Sequence, residues 1–84
     1  MNKPLILVVE DDPSIRNLIT TTLKTNDYRY VVAPNGSAAI MEATSHNPEI
    51  TLLDLGLPDM DGVQVIQTVR SWSNTPIIVI SAIS

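Results

Sequence analysis

Hydrophobic residues along the chain form short continuous runs, separated by segments with helically spaced apolar positions. The runs Leu5–Val9 and 77–80 are aliphatic throughout and partly β-branched. Runs of this kind are typical of strands that are buried on both faces of a parallel sheet. Two shorter and mostly apolar runs, residues 30–33 and 50–53, predict two more strands. The pattern therefore predicts four strands.

The segment after the first run is predicted to be an amphipathic helix. Asp12 suits an N-cap and Pro13 the first helical position, while Asn26 and Asp27 favour a turn at the other end. Its apolar face follows the i, i+3, i+4, i+7, i+8 spacing of a helix, in Ile15, Leu18, Ile19, Thr22 and Leu23.

Two further helices are predicted between the later runs. Residues 34–36 form a break, residues 37–45 carry apolar positions at helical spacing, and Pro48 closes that segment. The third helix follows a loop rich in turn formers, with Asp61 as its N-cap. Its apolar face consists of Val63, Val65, Ile66 and Val69. The order β-α-β-α-β-α-β predicts one α/β unit, a parallel sheet with helices on both faces.

Acidic and hydroxyl side chains follow three of the predicted strands. Glu10 and Asp11 end strand 1, Asp54 ends strand 3 and Ser81 ends strand 4. Because ligands bind at the carboxyl ends of the strands in an open parallel sheet, we expect these side chains to converge. Three adjacent carboxylates favour a bound cation, and ligands that are all oxygen favour Mg²⁺. The alternative, that the acids only cap the first helix, accounts for Asp12 but not for the others.

Composition narrows the possible functions. Nine acids against five bases give a net charge of −4, and the basic residues are scattered rather than forming a stripe: Lys3, Arg16, Lys24, Arg29 and Arg70. Direct contact with nucleic acid is therefore not expected. There is no cysteine, which excludes disulfides and thiolate ligands. The apolar runs are too short to span a bilayer or to form a signal peptide, so we predict a cytoplasmic protein with no membrane contact.

Three motifs occur in an order that resembles response-regulator receiver domains of two-component systems. They are an acidic pair at the end of strand 1, a D-x-x-x-P-x-x-x-G loop and a strand-ending serine: residues 8–12 (VVEDD), 53–62 (LDLGLPDMDG) and 76–82 (PIIVISA). Residues 53–59 and 70–73 are most similar to KdpE-type regulators of potassium uptake, in the OmpR-like class. The resemblance implies a flavodoxin-like (CheY-like) doubly wound sheet of order 2-1-3-4, with the fifth strand and last helices missing.

The resemblance also implies a role for each site residue. Asp54 would be the phosphoacceptor for a sensor histidine kinase, in a signalling domain that is not an enzyme in the usual sense. Asp11, Asp54 and the backbone carbonyl of Gly56 would bind Mg²⁺ directly, and Glu10 would bind it through water. Ser81 would be the switch hydroxyl that contacts a phosphoryl oxygen, unless it is only a polar residue that ends a strand. Pro58 would help to shape the loop beside the site.

The family that this chain resembles has a unit of five strands and five helices. Residues 1–84 are therefore expected to be the N-terminal portion of such a unit. The site lysine and a transcriptional output domain are expected to be absent. A pseudo-receiver or interaction scaffold without phosphotransfer is therefore an alternative. We also expect self-association through the edge of strand 4, with aliphatic side chains of strands 1, 3 and 4 open to water beside the first helix. A phosphatase of the haloacid-dehalogenase type would need a second acid two positions after Asp54, where this chain has Gly56.

Overall fold

The computed structural model describes residues 3–80, which form four strands and three helices. In chain order they are β1 (Leu5–Val9), α1 (Pro13–Thr25), β2 (Arg29–Ala33), α2 (Gly36–His46), β3 (Ile50–Leu53), α3 (Gly62–Arg70) and β4 (Ile77–Val79). Every predicted element is present, with bounds within about two residues of the prediction. No helix within residues 3–80 is long and apolar enough to cross a bilayer.

The strands form one parallel sheet in the order β2-β1-β3-β4. The chain moves outward from β1 to β2, then crosses back to β3 on the other side of β1. Val9 is paired with Ala33 on one side and with Leu53 on the other, so three strands end at the same level. The predicted doubly wound fold and its strand order are confirmed, and the carboxyl ends of the strands form one edge.

The helices begin at side chains that accept hydrogen bonds from otherwise unpaired N–H groups. Asp12 Oδ1 accepts the Ser14 N–H at 2.8 Å, and Asp61 Oδ1 accepts the Val63 N–H at 3.0 Å, so both predicted N-caps are confirmed. Asn35 caps α2 and lets that helix begin at Gly36, one residue before the predicted start. These caps satisfy helix termini at the edge where the strands end.

The hydrophobic core lies between the sheet and the pair of helices α2 and α3. Its buried residues are Leu7, Val9, Ala33, Ala39, Ala43, Leu53, Val65 and Val69. Strand alternation points Leu7 and Val9 to this side and Ile6 and Val8 to the other. Both sides of β1 are buried, as expected for a central strand of a parallel sheet.

The opposite face of the sheet is covered by α1, and the cover is partial. No residue of α1 is fully buried, and Leu18 on its predicted apolar face is 69% exposed. The apolar spacing predicted the helix correctly, but α1 is less buried than the spacing indicated. The reason is that, within residues 3–80, α1 is the single helix on this face of the sheet. Ile6 and Val8 are nevertheless buried, so the expected exposure of β1 is wrong. On this face the most exposed aliphatic strand residue is Ile78 of β4, while its neighbour Val79, also about half exposed, lies on the side of α2 and α3.

Candidate functional site: a carboxylate cluster at the strand ends

Glu10 lies immediately after β1 and is held by its backbone on both sides. Its N–H donates to the Ala33 carbonyl at 3.1 Å, and its carbonyl accepts a bond from Arg16 Nη1 at 3.0 Å. The residue is 3% exposed, and its Oε2 accepts the Asp12 N–H at 3.2 Å. Glu10 is one of two buried polar or charged residues among residues 3–80, with Thr51. Burial of a charged carboxylate is unfavourable unless another group compensates for the lost contact with water.

Asp54 lies immediately after β3, next to Glu10 in space. Its N–H donates to the Val9 carbonyl at 3.0 Å, which extends the β1–β3 ladder by one residue. The side chain is half-buried, and Oδ1 accepts the Gly56 N–H at 3.0 Å. This bond folds the first residues of the following loop back over the carboxylate.

Carboxylate oxygens of Glu10, Asp11 and Asp54 lie within 4.8 Å of one another. The convergence predicted from the strand ends is therefore present in the structure. The three residues differ in exposure: Glu10 is buried, Asp54 is half-buried and Asp11 is exposed. A set of oxygens open on one side suits a hard divalent cation that keeps some of its water, as Mg²⁺ does. Capping accounts for Asp12 but does not account for this cluster.

The pKa of Glu10 reflects the crowding of the cluster. Burial, which disfavours the charged form, and then the hydrogen bond and negative charge of Asp54 raise the pKa of Glu10 to about 7 from the usual 4.5. The Asp12 N–H acts in the opposite direction, because it donates to the Glu10 carboxylate. A cation would remove the repulsion and favour the ionised form. The residues present thus fit a bound Mg²⁺.

The loop between β3 and α3 is held by contacts at several points. Leu55 accepts the Gly62 N–H at 3.1 Å, so both ends of the loop are joined. A Cβ at Gly62 would lie 2.6 Å from Leu55 Cα, which explains the need for glycine there. The exposed Pro58 lies in the loop, where the sequence predicted a turn.

Asp59 has a contact that the sequence does not predict. Its place in the loop suggests a surface or capping residue, and it does cap a helix, but that helix is α2. Its two carboxylate oxygens accept the N–H groups of Gly36 and Ser37, at 2.7 and 2.9 Å. These bonds lower the pKa of Asp59 below its usual 3.8. The sequence carries no direct signal for a contact between residues more than twenty positions apart.

Two of the predicted site features are less well defined by the structure. The Gly56 N–H donates a hydrogen bond to Asp54. The role of the Gly56 carbonyl as a metal ligand stays a prediction. Ser81 lies outside the described residues, so its predicted switch role also stays a prediction.

Comparison with known proteins identifies the family. The sequence model of the response regulator receiver domain matches residues 6–84, nearly the whole chain. The chain belongs to this family. It is a receiver domain of the kind found in two-component response regulators, and the resemblance drawn from its three motifs is confirmed.

Among curated proteins, the chain is similar to regulators called KdpE. The transcriptional regulatory protein KdpE of Mycobacterium tuberculosis is 40% identical over 78 residues, which are 93% of this chain and 34% of that protein. The KDP operon transcriptional regulatory protein KdpE of Escherichia coli is 40% identical over 77 residues, 92% of this chain and 34% of that protein. The predicted similarity to KdpE-type regulators is confirmed. The chain spans about a third of the length of these relatives.

Solved structures support the same assignment. The BeF₃-activated N-terminal receiver domain of Klebsiella pneumoniae RstA has a TM-score of 0.89 at 32% identity, over 95% of this chain and 68% of that one. A chain from the complex of histidine kinase ThkA with response regulator TrrA has a TM-score of 0.88 at 33% identity, over 100% of this chain and 72% of that one.

Proposed function

We propose that this receiver domain accepts a phosphoryl group on Asp54 from a sensor histidine kinase. The observation that supports it best is the half-buried Asp54 carboxylate, whose neighbours Glu10 and Asp11 lie within 4.8 Å. A carboxylate in this position is accessible from the edge of the sheet and lies in a cluster that favours a divalent cation. The complex of ThkA with TrrA supports a histidine kinase as the partner, by similarity.

In the proposed reaction a carboxylate oxygen of Asp54 attacks the phosphorus of a phosphohistidine. The new O–P bond forms as the N–P bond breaks, and the histidine ring nitrogen leaves and takes up a proton from solvent. The negative charge of Glu10 and Asp11 attracts the cation. The Gly56 N–H donates to Oδ1 of Asp54 and so orients the nucleophile. The product is an acyl phosphate on Asp54.

Mg²⁺ would be held by Asp11, Asp54 and the Gly56 carbonyl, with Glu10 contributing through water. When bound, the ion supplies charge stabilisation for the phosphoryl oxygens. Ser81 is proposed to donate its hydroxyl to the phosphoryl group after transfer, and so to bias the loop that bears it between two states. Both roles follow from the family resemblance, and the metal role is also supported by the proximity of Glu10, Asp11 and Asp54.

The wider role of the domain is proposed from its relatives. Because they are transcriptional regulatory proteins of about three times this length, we propose that phosphorylation controls a transcriptional output domain in the cytoplasm. The similarity to KdpE proteins favours a response linked to potassium. With a net charge of −4, the receiver domain itself is not expected to contact nucleic acid.

Incubation with acetyl phosphate and Mg²⁺, followed by mass spectrometry, tests the proposal. The 84-residue chain should gain one phosphoryl group, and Asp54→Asn should gain none. Asp12→Asn is the matched control, since Asp12 is a neighbouring acid that caps α1 and asparagine caps equally well. Binding of Mg²⁺ without phosphorylation would favour the pseudo-receiver alternative. Equal labelling of Asp54→Asn and the unmodified chain would refute the assignment of Asp54.

A further inference from the structure

Asp59 joins the loop that follows Asp54 to a helix on the other side of the site. Its carboxylate accepts two hydrogen bonds, from the N–H groups of Gly36 and Ser37 at 2.7 and 2.9 Å. The first N–H groups of a helix have no partner within the helix, so such bonds satisfy groups that would otherwise need water. Asn35 accepts the next one, from Ala38, at 2.8 Å. The start of α2 is thus capped twice, once by its own N-cap and once by the loop.

Packing reinforces the contact. The side chain of Met60 lies against Gly36, and a Cβ at this position would be 2.6 Å from the Met60 sulfur and 3.2 Å from Asp59 Oδ1. Glycine therefore allows two consecutive loop residues to approach the backbone of α2. The hydrogen bonds of Asp59 and the packing of Met60 therefore attach the loop to the same point of α2.

Two other bonds of this loop lie within it or at its ends. Gly56 donates to Asp54 Oδ1, and Gly62 donates to the Leu55 carbonyl. The bonds from Asp59 connect the loop to the start of α2. The end of β2, a few residues earlier, is bonded to the site as well, because Ala33 accepts the Glu10 N–H at 3.1 Å. The loop and the residue after β1 are thus anchored to neighbouring positions, at the start of α2 and at the end of β2.

We infer that Asp59 is a positioning residue of the phosphoacceptor site. By binding the start of α2, it holds the loop so that Gly56 stays against Asp54. Asp59 lies outside the carboxylate cluster, and it acts through the loop rather than on the phosphoryl group. Its effect on phosphotransfer rests on the proposed function, whereas its effect on the loop does not.

The first test needs neither metal nor phosphate. Amide hydrogen exchange, followed by NMR, reports how firmly Gly56 is held against Asp54. Asp59→Ala should make the Gly56 amide exchange about fivefold to tenfold faster, as for the loss of a helix cap of typical strength. Titration with Mg²⁺ should then show a lower affinity, in proportion to the fraction of chains in which the loop is displaced.

Two variants separate positioning from simpler effects. Asn35→Ala removes the other cap of the same helix and leaves the loop contact in place, so Gly56 exchange and Mg²⁺ affinity should both stay near those of the unmodified chain. Asp59→Asn keeps one acceptor oxygen and replaces the other by an NH₂ donor, so it can retain one of the two bonds and should lie between Asp59→Ala and the unmodified chain. An equal loss in Asn35→Ala would mean that fraying of α2 is the cause. An equal loss in Asp59→Asn and Asp59→Ala would mean that one bond does not hold the loop and that both carboxylate oxygens are needed.

The outcomes for the two proposals remain distinct. Unchanged Gly56 exchange in Asp59→Ala refutes the positioning role, whatever the chain does with acetyl phosphate. If the unmodified chain fails to be phosphorylated while Asp59→Ala loosens Gly56, the positioning role stands and the phosphoacceptor proposal fails.

Discussion

Asp54 donates its backbone N–H to the carbonyl of Val9 at 3.0 Å, and this bond brings the ends of β3 and β1 to the same level. Glu10 follows Val9 directly, so the side chains that follow the two strands become neighbours. The carboxylate cluster is therefore a consequence of the parallel register that pairs Val9 with Leu53. A slip of one residue would send one of these carboxylates to the other face of the sheet.

Stability without metal should depend on pH through Glu10. Its pKa is raised to about 7 in the folded chain, so between pH 4.5 and 7 the folded state binds a proton that the unfolded state does not. Stability should therefore fall as pH rises through this window, by at most about 3 kcal/mol. Urea unfolding at pH 5, 6, 7 and 8 without divalent ions would measure the slope.

Glu10→Gln is the control for this dependence, because it keeps the shape of the side chain and removes its titration. The variant should lose most of the slope between pH 5 and 8. Mg²⁺ should flatten the slope in the unmodified chain, since the cation favours ionised Glu10. A stability that rises with pH in the metal-free chain would contradict the burial argument.

Gly56 in the loop and Gly62 at the start of α3 should respond differently to alanine. A Cβ at Gly62 meets the backbone of Leu55 at 2.6 Å, so Gly62→Ala should cost about 1–3 kcal/mol although alanine favours helices. A Cβ at Gly56 would have Asp54 Oδ1 as its nearest neighbour, at 3.7 Å, and Gly56→Ala should stay within about 0.5 kcal/mol. Denaturant titration of the two variants compares them directly, and equal losses would show that the tight contact is relieved by loop movement.

The sequence was sufficient to predict the fold and the centre of the site. Aliphatic runs marked the strands, and the rule that ligands bind at strand ends predicted that Glu10, Asp11 and Asp54 lie together. The burial of Glu10 and the link between Asp59 and Gly36 were not predictable in this way. Both depend on how separate elements pack, and local spacing carries no information about that packing. Helix α1 illustrates the same limit, because helical spacing predicts which face is apolar but not what covers it.

Ser81→Ala should leave Mg²⁺ affinity unchanged. A hydroxyl in the predicted role serves the phosphoryl group, whereas the carboxylates serve the ion. Isothermal titration of Mg²⁺ into the variant and into the unmodified chain tests this separation, with Asp11→Asn as the positive control that should weaken binding. A loss of metal affinity in Ser81→Ala comparable to that of Asp11→Asn would mean that the serine belongs to the metal site.

The 84-residue chain should self-associate through β4. Within residues 3–80 this strand pairs with β3 alone, and its two exposed apolar residues, Ile78 and Val79, are each about half exposed. An uncovered apolar edge strand pairs with other chains unless charge or proline blocks it, and Pro76 lies only at its start. A few hundred Å² of apolar surface at about 25 cal/mol per Å² amounts to several kcal/mol. Part of this is lost as the two chains give up translational and rotational freedom, so we expect weak association, with a Kd on the order of millimolar.

Sedimentation equilibrium over a range of concentrations, with a variant at the strand and one remote from it, decides this prediction. Ile78→Lys places a charge on the edge strand and should shift the chain toward monomer. Met41→Lys makes the same kind of change at an exposed position on α2, which contacts β2 and β1 rather than β4, and should leave association unchanged. If the unmodified chain stays monomeric at every concentration, the exposed edge does not drive association. If both variants dissociate the chain equally, the contact does not lie at β4, because a charge on α2 cannot block pairing along that edge.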